Sequence, residues 1–395
     1  MQQVAVSWLA YRLTNSPLWL GVVAFCSQVP TFFLAPFGGA LADLWSRRRM
    51  LLVTQGLSFF LALILALLTA MQIITVRHLL VIGFLLGCVN AVDIPTRQAF
   101  LADLVNRKQD LGNAIGLNSL MIHAARLIGP LIAGLIIPLA GERTCFFLNA
   151  VSYLAVIAAL LSLTPFPPAQ PRKPMRLISQ FRNGLSYAWG SVPIRAILLM
   201  VAAVSLLGMP YIVLLPPLTT QRFHRSAQAL GVMVGMSGIG ALAGALYLAC
   251  RKTIVGLEKS LVVSSLLVGL GLIWLSYCMK FELALLVLIL IGCATVLQMT
   301  ASSILLQTLT REDQRGRVMS FYAVAFMGLV PFGNLLFGSL AQRFSPASAL
   351  VIGGAGCILA SLCFGIRLRH WQKQVQPLSV QNGIPANNVE NISSP

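Results

Sequence analysis

The chain has 395 residues, of which 57% are hydrophobic and only 10% are charged, so it is far more apolar than a soluble globular protein. Its formal net charge of +18 comes mainly from basic residues in short gaps between long apolar runs, where such residues orient helices across a membrane. Composition therefore excludes a soluble globular protein, gives no support to nucleic-acid binding, and predicts an integral membrane protein.

The first element, residues 1–13, is apolar but too short to cross a bilayer, and the turn-prone Thr14-Asn15-Ser16-Pro17 follows it. It lacks the basic start and the cleavage site of a signal peptide, so we expect the outer half of a first helix whose beginning is missing. Eleven apolar segments of about 20 residues or more follow, each long enough to span the hydrocarbon core. They are residues 18–43, 50–71, 78–104, 113–140, 144–165, 194–221, 228–250, 257–279, 282–309, 317–341 and 347–368.

The turn after the second apolar segment combines small residues, one acid and three successive arginines. Small residues allow close helix approach, and the arginines favour the cytoplasmic side. The turn resembles the loop between helices 2 and 3 of major facilitator superfamily transporters, although Leu44 and Ser46 depart from that pattern. The positions that agree with the pattern are Gly39, Asp43, Arg47 and Arg48. The alternative is a simple arginine cluster that only orients the helices.

Among the ten acids of the chain, only Asp93 falls inside a predicted span and away from its ends. Charge within a span is costly and marks a functional site by default. Pro95 loosens the same helix and frees nearby carbonyl groups. Arg97 lies one turn further on, so an Asp93–Arg97 ion pair is one interpretation. The other is that Asp93 takes up a proton or meets a cationic group during transport.

Arg126 is a basic residue in the middle of the next span. A central arginine must face protein or water, so it either pairs with Asp93 on the preceding helix or holds an anionic group of the substrate. His123 lies three residues earlier on the same face, as a hydrogen-bonded packing residue or as a proton carrier.

The segments that begin at Asp93, Asn113, Ala125 and Cys145 together resemble a drug:proton antiporter-like subgroup of the superfamily, which includes the enterobactin exporter and macrolide efflux proteins. The resemblance implies an all-α membrane protein of two pseudo-symmetric six-helix bundles, with the first helix truncated here. It implies an antiporter-like sequence in the fifth helix at Gly129, Pro130 and Gly134. It also implies that Asp43, Arg47 and Asp103 form a charge cluster that closes the cytoplasmic side.

The long polar gap in mid-chain divides the predicted spans. We expect an N-terminal bundle over residues 1–165, a cytoplasmic linker over 166–193, a C-terminal bundle over 194–370 and a disordered cytoplasmic tail over 371–395. An internal repeat agrees with this division, because Gly39-Ala-Leu-Ala recurs at Gly240 and the Gly129–Gly134 pattern recurs at Gly333. Repeats of this kind imply a central cavity between the two bundles.

The eight cysteines form no Cys-x-x-Cys pair, and neither metal-ligand spacing nor a nucleotide-binding loop occurs in the sequence. We therefore predict no cofactor, no metal, no enzymatic activity and no nucleic-acid partner. The expected protein is a monomeric, alternating-access secondary transporter in the lipids of the inner (plasma) membrane, with a cytoplasmic C-terminus. It would export a small amphiphilic compound, a drug or a siderophore, in exchange for protons. The alternatives are a lysophospholipid translocator, a non-transporting membrane receptor or assembly factor, and a non-functional fragment.

Overall fold

The computed structural model describes residues 1–105, 110–163, 186–251 and 256–381. Within these ranges every regular element is a helix and no strand occurs. This follows from the long apolar runs, because in lipid each backbone N–H and C=O group must be satisfied within its own segment. The predicted all-α class is confirmed.

Five α-helices lie in the described residues before 164. They are α1 (Gln2–Thr14), α2 (Pro17–Leu44), α3 (Arg47–Ala70), α4 (Val76–Asp103) and α5 (Leu111–Ser162). Helix α5 contains two of the predicted spans, which meet at a kink where Gly141 has φ 77° and ψ 169°. Glycine adopts this left-handed backbone conformation without steric cost, so it fits the break that the sequence predicts between residues 140 and 144.

In the described part of the chain after residue 163, a short helical stretch at 186–190 comes first, and eight further α-helices follow it. They are α6 (Val192–Leu207), α7 (Tyr211–Pro217), α8 (Ala227–Cys250), α9 (Leu257–Tyr277), α10 (Phe281–Leu309), α11 (Glu312–Ala323), α12 (Val330–Arg343) and α13 (Pro346–Gln381). Two π-helical turns extend or join them, Leu218–Arg222 after α7 and Val324–Gly328 between α11 and α12. Helix α13 continues to Gln381, into the tail predicted to begin at residue 371.

The described residues contain ten helical stretches that are long and apolar enough to cross a membrane. They correspond to the eleven predicted spans, because the stretch Gly116–Ser162 runs across the kink in α5 and covers two of them. Large apolar side chains such as Phe60 (59% exposed) and Leu135 (56% exposed) lie on the outside of these helices, as a lipid-facing surface requires.

The chain forms two compact units. The first contains Met1–Pro174, Val213–Gly235 and Asn334–Arg343, and the second contains Met175–Ile212, Met236–Gly333 and Phe344–Pro395. In the first unit α2 packs on α4, where the Thr31 hydroxyl donates to the Gly87 carbonyl at 3.0 Å. In the second unit α9 packs on α13 where Gly269 meets Gly354. Both contacts need small residues, because these let helix backbones approach closely.

Candidate functional site

Asp93 lies at the centre of a polar cluster between α3 and α4. Its carboxylate is 4% exposed and accepts three hydrogen bonds from side chains. Thr54 Oγ1 and Gln55 Nε2 of α3 each donate to Oδ1 at 2.8 Å, and Arg97 Nη2 donates to Oδ2 at 2.5 Å. Thr54 and Gln55 are themselves buried. The cluster therefore satisfies the buried carboxyl group with hydrogen bonds inside the first unit and joins two helices through it.

Only one member of the Asp93–Arg97 pair is buried, since the Arg97 side chain is 61% exposed. If the carboxyl group takes up a proton, Arg97 loses its counter-ion, whereas the hydroxyl of Thr54 and the amide of Gln55 can still hydrogen-bond the neutral acid. The arrangement can therefore change its charge without losing all of its contacts between α3 and α4. This is the property that a proton-carrying site needs.

Arg126 lies in α5 as an exposed side chain. The expected ion pair with Asp93 does not form in the structure, because Asp93 pairs with Arg97 instead, one turn away on the same helix. Within the described ranges Arg126 has no hydrogen-bond or ion-pair partner. The backbone of His123 lies in α5 one turn before Arg126, and its side chain is outside the described residues.

The predicted charge cluster is partly visible at the end of α4. Arg47 Nη1 contacts Asp103 Oδ1 at 2.6 Å, which ties the start of α3 to the end of α4. Arg48 donates instead to the carbonyl groups of Leu160 and Leu161 at 2.7 and 2.8 Å, near the C-terminus of α5. A cation at that end of a helix satisfies carbonyl groups without an intrahelical partner and complements the helix dipole.

The remaining two residues of the predicted cluster, Gly39 and Asp43, lie in the last turns of α2. Their side-chain environment is outside the described residues.

The antiporter-like sequence of α5 packs against α8 within the first unit. A Cβ built on Gly134 would come within 2.8 Å of the Gly231 Cα, and one built on Gly231 within 2.7 Å of the Pro130 carbonyl oxygen. Gly129 lies against the start of α1, where a Cβ would come within 3.0 Å of the Met1 nitrogen. These close approaches explain why small residues occupy the positions.

A third ion pair, which was not predicted from the sequence, joins α1 to α5. Arg12 Nη2 lies 3.3 Å from Glu142 Oε2, and the Glu142 side chain is 5% exposed. The adjacent residue of α1, Tyr11, is buried, and its hydroxyl accepts a hydrogen bond of 2.8 Å from Gln221 Nε2. The sequence signal for this site was weak, because Glu142 lies near the end of a span, where acids are common and inexpensive.

No group of three or more His, Cys, Asp or Glu residues that could hold a metal ion occurs among the residues that the structure describes.

Comparison with known proteins adds to this geometry. The sequence profile of the transmembrane secretion effector family matches residues 1–393. The chain is 28% identical to the staphyloferrin A transporter of Staphylococcus aureus over 92% of this chain and 90% of the relative. It is 25% identical to the enterobactin exporter EntS of Citrobacter koseri over 97% of this chain and 91% of the relative. The crystal structure of the nucleoside transporter NupG superposes with a TM-score of 0.74 at 12% identity, over 93% of this chain and 96% of that one, which shows a common fold.

Proposed function

The chain belongs to the transmembrane secretion effector family of major facilitator superfamily transporters, and from this membership we propose that it exports a small amphiphilic compound in exchange for protons. A siderophore or a drug is the substrate class, and the two relatives named for siderophores support the first of these. Alternating access in the inner membrane, as a monomer with a cytoplasmic C-terminus, completes the proposal. No part of it requires a cofactor or a nucleic acid.

The observation that carries proton coupling is the buried carboxylate of Asp93. An ionisable group in a membrane span is expensive, and this one is stabilised by donors from two helices rather than by its arginine alone. Protonation cancels the charge of Asp93 and leaves Arg97 uncompensated. The hydrogen bonds from Thr54 and Gln55 persist but lose their charge assistance, so the proton weakens the contact between α3 and α4 without breaking it. This weakening is how the proton biases the cavity from one side to the other.

Two further sites complete the mechanism. Arg126, exposed in α5, receives an anionic group of the substrate, and His123 one turn away assists as a donor or proton carrier. The cytoplasmic gate consists of Gly39, Asp43, Arg47, Arg48 and Asp103. The Arg47–Asp103 pair supports it, because its 2.6 Å contact holds the ends of two helices together and would have to break for them to separate.

Transport into everted membrane vesicles tests the proposal. An exporter loads such vesicles, so we expect uptake of staphyloferrin A, enterobactin or ethidium that requires an imposed proton gradient and stops when a protonophore collapses it. Lysophosphatidylcholine is tested as a further substrate in the same assay, and uptake of this lipid alone would favour the lysophospholipid translocator. Uptake that ignores the collapsed gradient would contradict proton coupling.

The Asp93→Asn variant separates coupling from folding. It retains the shape and most hydrogen bonds of the site, so we expect it to lose gradient-driven uptake but to retain exchange of labelled for unlabelled substrate, which needs no net proton movement. Asp110→Asn is the matched control, because Asp110 is an exposed acid at the start of α5. If Asp93→Asn retains full gradient-driven uptake, the carboxylate is only a structural partner of Arg97.

A further inference from the structure

A cavity of about 550 Å³ opens beside the C-terminal end of α1. It lies within the first unit, between α1 and the π-helical turn that follows α7. The residues that line it are Trp8, Tyr11, Arg12, Asn15, Thr220 and Gln221. It is far from the Arg47–Asp103 pair, because α2 begins next to Asn15 and reaches Arg47 only after 28 residues, roughly 42 Å of helix.

The lining has the composition of a binding site for an organic anion. It supplies one guanidinium group, two aromatic rings and three neutral hydrogen-bonding side chains, and none of its described residues carries a carboxylate. Its volume falls in the range of about 300–1,000 Å³ that small-molecule sites occupy. Trp8 and Tyr11 offer flat apolar faces, and the fork of Arg12 matches the geometry of a carboxylate.

Arg12 is only partly engaged within the protein. Its side chain is 56% exposed, and its recorded contact is a single 3.3 Å approach of Nη2 to Glu142. The rest of its donors have no partner in the part of the chain that the structure describes. Arg12 therefore lies between the buried carboxylate of Glu142 and a cavity whose described lining residues carry no carboxylate.

We propose that this cavity binds a small aromatic carboxylate through Arg12, with the ring against Trp8 and Tyr11. The bound carboxylate competes with Glu142 for the guanidinium group. The site is separate from the Asp93 cluster and goes beyond the proposed export function. It rests on that function only for its role, which is to hold the substrate on the non-cytoplasmic side before release.

Because Glu142 and the ligand compete for one guanidinium group, substitutions of Arg12 and of Glu142 should have opposite effects on ligand binding. Removing the charge of Arg12 removes the anchor of the ligand, so binding weakens. Removing the charge of Glu142 frees the same guanidinium group, so binding tightens. A purely structural ion pair predicts that both substitutions weaken binding by the same route, through loss of the local fold.

Binding of radiolabelled 2-naphthoate to the full chain in lipid nanodiscs, measured by scintillation proximity, tests the proposal. We expect Arg12→Gln to weaken binding at least tenfold and Glu142→Gln to tighten it several-fold. The uncharged 2-naphthamide, added as competitor, should be at least tenfold less effective than unlabelled 2-naphthoate. Arg143→Gln is the matched control, because Arg143 is an exposed arginine in the same turn of α5 but does not line the cavity, and it should change binding less than twofold.

The double variant Arg12→Gln/Glu142→Gln controls for misfolding of Arg12→Gln, because it leaves no buried Glu142 carboxylate without its arginine. It should fold as the parent does and bind 2-naphthoate as weakly as Arg12→Gln. Equal competition by the amide, unchanged binding in Arg12→Gln, or weaker binding in Glu142→Gln would overturn the proposal. None of these results would contradict the export function. Uptake by everted vesicles tests export separately, so loss of the binding signal with intact uptake would concern the cavity alone.

Discussion

Replacing Gly231 with alanine should destabilise the protein, because the new methyl group has no room. A Cβ at this position would lie 2.5 Å from the Gly134 Cα and 2.7 Å from the Pro130 carbonyl oxygen. Ordinary contacts of a Cβ begin at 3.4 Å, so α5 and α8 would have to separate by about 1 Å or shift along each other.

The expected magnitude follows from two opposing terms. Overpacking a close contact costs roughly 1–3 kcal/mol. Alanine is favoured over glycine within a helix by about 0.5–1 kcal/mol. The first term exceeds the second, so Gly231→Ala should lower the stability by about 1–2 kcal/mol.

Gly56→Ala in α3 is the matched control, because a Cβ at Gly56 would meet nothing within 4 Å. Only the favourable helix term then operates, and this variant should gain about 0.5–1 kcal/mol. Thermal unfolding in detergent, followed by intrinsic fluorescence, should therefore shift in opposite directions for the two alanines. A rise of equal size in both would show that α5 and α8 do not approach each other as the structure describes.

Three other substitutions are informative. In a double-mutant cycle on thermal unfolding, Arg47→Gln and Asp103→Asn should be coupled by about 1 kcal/mol, since their ion pair is only partly buried; full additivity would mean that the pair does not form. Arg48→Ala should speed hydrogen exchange in the last turn of α5, where Arg48 binds two carbonyl groups, whereas the exposed Arg49→Ala should not. Gln298→Met should raise the unfolding temperature, because the buried Gln298 amide has no hydrogen-bond partner among the described residues; a fall would indicate an unseen partner.

Apolar length and glycine position predicted the helices well, because both act locally. A run of about 20 apolar residues must become a helix in lipid, and the break at Gly141 falls between the two predicted spans. The π-helical turns were not predicted. Hydrophobicity indicates which residues lie in the membrane. It does not indicate whether a backbone carbonyl accepts its hydrogen bond from the N–H four residues on, as in an α-helix, or five residues on, as in a π-helix.

The candidate site could likewise be predicted from the sequence only in part. Arg97 was a candidate partner of Asp93 because i and i+4 residues share a helix face. Thr54 and Gln55 could not be chosen from sequence, since their contact with Asp93 depends on how α3 is rotated and shifted against α4. The same limit explains why the expected Arg126–Asp93 pair does not form, because the sequence does not show that α5 packs mainly on α3 rather than on α4.

Asp93 and Glu142 share one physical arrangement, although only the first was expected to matter. Each carboxylate is at most 5% exposed, and each pairs with an arginine that is more than half exposed. Leaving a buried charge without its partner costs about 3–5 kcal/mol, so each carboxylate favours the helix contact at which it is held. Glu142 pairs with Arg12 of α1, whereas Asp93, whose arginine lies on its own helix, accepts from Thr54 and Gln55 of α3. Such a contact can be released in two ways, by a proton that neutralises the carboxylate or by an anion that takes the arginine. In the two proposals, Asp93 responds to protons and Arg12 to an anionic ligand, so the two pairs would control proton coupling and ligand binding from different parts of the first unit. Asp93→Asn should therefore change coupling without changing ligand binding, and Glu142→Gln should change ligand binding without changing coupling.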